Sequence, residues 1–166
     1  GFPLTGWIID SFGLLFDEAA KLYKRIIFEI KDTSPAADEE GNREKSFKIL
    51  AKKIGWKPDT DIKPLIKVIQ NNEDYLWHYK IEMNKIQLVG KIERQQATAI
   101  LFFERLIDNH FITDPGAEIK NKLILDTFIF SKEIKETQLT RMRSKIRNGD
   151  RENISREINE RLKLAI

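Results

Sequence analysis

The stretch "KIQLVGKIERQQATAILFFERLIDNHF", residues 85–111, changes its hydrophobic rhythm partway along. From Lys85 to Leu88 polar and apolar residues alternate; from Ile92 the apolar ones recur at steps of three and four. A repeat of two sends side chains to opposite faces of a strand, whereas a repeat near 3.6 gathers them on one face of a helix. The helical part is nearly apolar through Ala97, Ile100, Leu101, Phe103, Leu106 and Ile107, so a buried central helix is expected there. Just upstream, "LWHYKIEMNKIQLVG" (76–90) sets Trp77, Tyr79, Ile81 and Met83 against His78, Lys80, Glu82 and Asn84, and "IQL" can pair back across "MNK" as a hairpin. A helix through Tyr75, Tyr79, Met83 and Ile86 fits the same letters, so both readings stay open at this point.

Working toward the C-terminus, "TDPG" (113–116) is a turn and "AEIKNKLILDTFIF" (117–130) reads as a second helix. "SKEIKE" is a short connector, and "TQLTRMRSKIRN" (137–148) is a third helix, capped by Thr137 and ended by Gly149. Asp150 is placed to cap a last helix that buries Ile154, Ile158, Leu162 and Ala165. Working toward the N-terminus, "DTDIKPLIKVIQNN" (59–72) offers Thr60 or Asp61 as an N-cap and Pro64 in the first turn, with Ile62, Leu65, Ile66 and Ile69 inward. "NREKSFKILAKKIGW" makes a short helix on Phe47, Leu50, Ala51 and Ile54, stopped by Gly55. "KDTSPAADEEGN" (31–42) is polar and aperiodic, with Pro35 and Gly41, and reads as an exposed loop. Before it, Ile8, Phe12, Leu15, Ala19, Leu22, Ile26 and Ile30 mark a helix over roughly 6–31, widened by Phe16, Tyr23 and Ile27. That stripe is broad enough for a core of its own or for a homodimer or partner face. The expected fold is mainly α: a helical N-terminal region over 1–75 and a helix-turn-helix or winged-helix-like unit over 76–166, with room for a small β-hairpin near 77–89.

The chain has 166 residues, 41% hydrophobic and 33% charged, which is an ordinary globular composition and not a disordered one. Its net charge is +3, and the excess is uneven. Residues 1–90 hold 14 basic and 14 acidic side chains, whereas 91–166 hold 15 and 12. An anionic partner is therefore expected at the C-terminal half. The chain has no cysteine, which excludes disulfides and thiolate chemistry and fits a reducing, cytoplasmic setting. No run approaches the about 18 apolar residues of a membrane helix. The apolar start is broken by Asp10 and reads as core, not as a signal peptide. Gly1 in place of an initiator methionine reads as a cleavage scar, and the chain as a fragment of a longer protein.

The third helix concentrates the charge. No acid lies between Glu136 and Asp150, while Arg141, Arg143, Lys145 and Arg147 follow one another at alternate positions, with Arg151 beyond. Leu139, Met142 and Ile146 share a face that must point inward. Thr140, Arg141, Ser144, Arg147 and Asn148 then point outward, with Arg143 and Lys145 on the flanks. Guanidinium forks match phosphate oxygens and guanine edges. A helix-turn-helix would lay its second helix in the major groove, with Gln138, Arg141, Ser144 and Lys145 near bases and Arg143, Arg147 and Arg151 on phosphates. A charge run on a helix is also the ordinary look of a solvated face, partly neutralised here by Asp150, Glu152 and Glu157, with Arg151 and Arg156 in intrahelical pairs. An all-helical interaction module with solvated arginines is thus the rival reading.

"NKIQLVGKIERQQATAILFFERLIDNHFI", "EIKNKLILDTF" and "LTRMRSKIRNGDRENISREINERL" together resemble the C-terminal region of RteC-type regulators of Bacteroidetes mobile elements. The shared order is a short apolar strand, a long apolar helix, a polar turn, a helix, a basic helix and a final amphipathic helix, over about half the chain. The resemblance implies a winged-helix DNA-binding unit that controls excision and transfer of mobile elements. It implies Arg141, Arg143, Lys145 and Arg147 as DNA-facing residues.

Catalytic readings are weaker. "RLIDNH" (Arg105–His110) has the arginine–four–histidine spacing that resembles HEPN ribonucleases, in which the pair would converge on a scissile phosphate. Apolar Leu106 stands where such motifs carry a polar residue, and His110 at a helix end is suited to capping carbonyls. His78, between Trp77 and Tyr79, reads as partly packed. Two histidines without cysteine argue against zinc, carboxylate-only Mg²⁺ binding stays open, and no phosphate loop or nucleophile elbow is present. "DEE" (38–40) reads as solubilising. The expectation is a non-catalytic DNA-binding regulator without cofactor or metal.

Overall fold

A computed structural model describes residues 17–25 and 35–164, with side chains from 38 onward in the second span. Residues 17–25 are helical (α1). They lie inside the helix expected over 6–31, whose remaining residues, like Ala165, are outside the described ones. Leu22 and Tyr23 of α1 are exposed. By backbone proximity the chain divides into two units, 1–42 and 43–166.

Helix α2 runs Pro35–Ile54. The loop expected over 31–42 is therefore helical from residue 35. Pro35 opens the helix at the position where proline's fixed φ is an asset, and Asp38 puts a negative charge in the first turn against the positive end of the helix dipole. These are start signals that an apolar repeat cannot reveal. The end is as expected: Gly55 takes φ +82°, its amide donates to Lys52 O, and Trp56 N–H donates to Ala51 O at 2.9 Å. This 6→1 bond beside a 5→2 bond is a Schellman ending. Helix α3 spans Lys63–Asn71, with Pro64 in its first turn and Leu65, Val68 and Ile69 buried. Asp61 Oδ1 accepts the Lys63 amide at 3.0 Å, while the N-cap position itself is Ile62.

Strands β1 (Trp77–Lys80) and β2 (Lys85–Leu88) pair antiparallel, Trp77 opposite Leu88 and Tyr79 opposite Ile86. A 3₁₀ turn, Ile81–Met83, joins them, and Asn84 closes it in the left-handed region. The hairpin near 77–89 is thus present. Ser46 Oγ on α2 lies 2.6 Å from both Tyr79 Oη and Asn84 Oδ1, tying that turn down. Helix α4 spans Ile92–Asp108, α5 spans Ala117–Thr127, α6 spans Glu136–Arg147 and α7 spans Glu152–Arg161. The second helix expected over 117–130 stops three residues early. Phe128–Ile129 form β3, parallel to β2 with Phe128 beside Ile86, in a sheet of order β1-β2-β3. Two β-prone residues there gain a ladder and keep Phe128 buried.

One core joins these elements. Trp77 donates from Nε1 to Ile69 O at 2.9 Å and meets Phe102 edge-on, and Phe102 in turn meets Phe103 and Phe128 edge-on. Because α2, α3 and the helices after residue 90 share this core, a boundary near 75 does not separate two cores. Helix α4 ends as α2 does: His110 takes φ +62°, His110 N–H donates to Ile107 O, and Phe111 N–H to Leu106 O, each at 2.9 Å. The residues just past these two endings, Trp56 and Phe111, stack with ring centroids 4.6 Å apart. Among the described residues no helix is long and apolar enough to cross a membrane.

Candidate nucleic-acid interface on helix α6

Helix α6 is set by its apolar side. Leu139 and Met142 are buried and Ile146 partly so, which fixes the rotation expected from their spacing. Gln138, Arg141, Ser144 and Arg147 are exposed, and Lys145 is partly so. The helix starts at Glu136, so Thr137 lies within it and is not the cap. Instead the Lys135 amide donates to Gln138 Oε1 at 2.8 Å, the side chain reaching back as in one half of a capping box. Gln138 keeps its NH₂ as a free donor. Ser144 Oγ donates to Thr140 O at 3.2 Å and is turned toward its own helix. At the far end Gly149 takes φ +78°, and Asp150 N–H donates to Lys145 O at 3.0 Å, a third Schellman ending. Asp150 does not cap α7, whose N-cap position is Arg151 without a side-chain cap.

Arg143 departs from the expected flank. It is 6% exposed, its Nη2 donates to Asn121 Oδ1 of α5 at 2.8 Å, and its Nε lies 3.7 Å from Glu104 of α4. Asn121 passes the link on, donating from Nδ2 to Thr140 Oγ1 at 3.1 Å. Lys120, 4% exposed, stands 3.3 Å from the same Glu104 and 3.4 Å from Asp114. Two buried cations thus share two carboxylates between α4, the 113–116 turn, α5 and α6. Burial draws the Arg143 pKa down, and Glu104 pushes it back up. Asp114 is held below the usual carboxylate range, first by the Gly116 amide it accepts and then by Lys120. The sequence carried a signal for this: Arg143 is four residues after Leu139 and three before Ile146, on the stripe that turns inward.

Arg151 is also engaged. Its Nη2 lies 3.0 Å from each oxygen of Glu93 on α4, not in a pair within its own helix. Arg156 does pair intrahelically, with Glu152 at 2.7 Å. The connection from α5 to α6 is residues 128–135 and includes β3. It is longer than the three- or four-residue turn of a helix-turn-helix. Of the eight arginines after residue 90, Arg94 pairs with Glu157, Arg105 donates to Asn159, and Arg161 lies 3.5 Å from the centre of the Tyr75 ring. Together with Arg143, Arg151 and Arg156 that makes six engaged. Arg141 and Arg147 form no ion pair among the described residues, and neither does Lys145. Lys132 and Lys135, exposed in the connector, are likewise unpaired there and were not among the expected site residues.

No family model matches this chain, and neither does any curated protein or solved structure.

Proposed function

We propose that α6 presents a nucleic-acid-binding face and that the protein is a non-catalytic, DNA-binding regulator. What supports this is the contrast among the arginines: six are engaged within the fold, while Arg141 and Arg147 stand in water with Lys145 beside the first. An unpaired guanidinium is the side chain best suited to a phosphate oxygen from another molecule. In this reading Arg141, Lys145 and Arg147 grip phosphate, with Lys132 and Lys135 extending the positive edge. Gln138 and Ser144 lie between them, nearest to bases. Arg143 and Arg151 drop out as contacts and become the ties that hold α6 and α7 to α4. The likeness of stretches within 84–162 to RteC-type regulators favours a role in transcription or in mobile-element transfer, in a cytoplasmic setting. A homodimer through the N-terminal helix, where Leu22 and Tyr23 are exposed, would match a two-fold DNA site.

Titration of duplex DNA against salt tests the reading. Each neutralised phosphate contributes a log–log slope of about −0.9, so Arg141→Ala and Arg147→Ala should each flatten the slope by about one. Absence of any salt-sensitive binding would leave the protein-interaction reading in its place. Cleavage of RNA that disappears in His110→Ala would point to the nuclease.

A further inference from the structure

The turn between α3 and β1, with the start of β1, gathers Glu73, Asp74 and His78 at the surface. His78 Nδ1 lies 3.1 Å from Asp74 Oδ1 and 3.9 Å from Glu73 Oε1, and one ligand atom from each residue falls within 4.8 Å of the other two. The backbone fixes this arrangement. Glu73 forms a bridge with Trp77, and Asp74 N–H donates to Trp77 O at 2.9 Å while Asp74 sits at φ +67°. The Glu73 carboxylate is steadied by the Tyr79 amide, 3.2 Å from each oxygen, which leaves lone pairs free on both. Trp77 is fully buried, so the scaffold beneath the cluster is rigid.

Charge supplies an independent observation. Among the described residues neither Glu73 nor Asp74 pairs with a lysine or arginine; the one basic group both approach is the imidazole. Lys80 and Lys85, next along that face of the hairpin, pair with neither carboxylate. Two adjacent carboxylates and an imidazole nitrogen, with no lysine or arginine paired to them among the described residues, form a donor set suited to a dication.

The geometry points to a divalent transition-metal site of the zinc class, with Glu73, Asp74 and His78 as its three protein ligands. Metal–ligand bonds of about 2.0–2.1 Å in a tetrahedron place ligand atoms about 3.3 Å apart. The His78–Asp74 separation already meets that spacing, and the Glu73 oxygen, 3.9 Å from His78 and within 4.8 Å of Asp74, must move in toward both. An imidazole nitrogen favours Zn²⁺, Co²⁺ or Ni²⁺ over Mg²⁺ or Ca²⁺, which prefer oxygen alone. Three protein ligands leave a fourth position for water or for a donor from another molecule.

The test uses the full chain, freed of metal by a chelator and titrated with Co²⁺, whose visible d–d absorption reports a nitrogen–oxygen tetrahedral site. Absorption that saturates at one ion per chain is expected, with competition by Zn²⁺ and a rise in melting temperature. His78→Ala and His78→Gln should each abolish the absorption and weaken Zn²⁺ binding at least about tenfold. Asp74→Asn should weaken it similarly, since asparagine tolerates the left-handed backbone and removes only the charge. His110→Ala, at the other histidine, should change nothing. Non-saturating uptake, or unchanged uptake in the His78 and Asp74 variants, overturns the assignment.

Discussion

Arg141 and Arg143 are two positions apart on α6 and roughly 200° apart around its axis, so one faces water and the other faces Asn121 and Glu104. Their substitutions should therefore separate binding from stability. Arg143→Ala removes the partner of a buried amide oxygen and leaves Glu104 with one cation, a change expected to cost roughly 3 kcal/mol. Arg143→Met fills the volume without a charge and should cost less. Arg141→Ala touches no partner and should stay within about 0.5 kcal/mol of the parent. Denaturant unfolding of the three variants checks the order; equal stabilities for Arg141→Ala and Arg143→Ala would refute the buried role. Much of the site was legible at this scale, because the inward stripe of Leu139, Met142 and Ile146 dictates which side is free. Arg143's burial could be read from its place on that stripe, but the partners of Arg143 and Arg151 could not. Each is captured by an acid on α4, Glu104 and Glu93, and a helix's own letters do not say what a neighbour brings to its flank.

At the scale of elements, three helices finish with the same hydrogen-bond pattern but different residues in the left-handed position: Gly55, His110 and Gly149. Glycine is at ease there, whereas a side chain costs about 1 kcal/mol or somewhat more. A Cβ built on Gly55 meets nothing within 4 Å, so Gly55→Ala isolates the backbone term and should destabilise by about 1 kcal/mol. His110→Gly relieves the same strain at the end of α4, less the chain entropy glycine adds to the unfolded state. It should leave stability unchanged or raised by up to about 1 kcal/mol. Thermal melts measure both, and a clear loss in His110→Gly would mean that the imidazole itself holds the helix end. Glycine endings are visible in sequence, and those after α2 and α6 were read correctly. The start of α2 at Pro35 and the strand at Phe128 were not visible. A first turn made of Pro35, Ala36, Ala37 and Asp38 has no large apolar residue to start a repeat, and two residues of strand exist only because β2 offers them a ladder.

For the whole molecule, the mainly helical character follows from local repeats, but what joins the helices is non-local. Trp77 shows this best. It lies in β1, reaches back to Ile69 O of α3 with its indole N–H, and meets Phe102 of α4, which in turn touches Phe128 of β3. Alternation in "WHYK" sets Trp77 and Tyr79 together on one side of a strand without indicating that four elements would be joined through the tryptophan. Trp77→Phe keeps an aromatic ring but withdraws the donor from Ile69 O, a loss of roughly 1–2 kcal/mol. Trp77→Ala also opens a large cavity and should cost about 3–5 kcal/mol, a sizeable part of the 5–15 kcal/mol typical of a domain. If residues 43–166 share one core, far-ultraviolet circular dichroism and Tyr79-region hairpin signals should be lost together as that variant is warmed, in one transition at lower temperature. Loss of the hairpin signals while the α4–α7 helicity persisted would instead show that the sheet is a separable attachment, and that α6 is oriented by the helices alone.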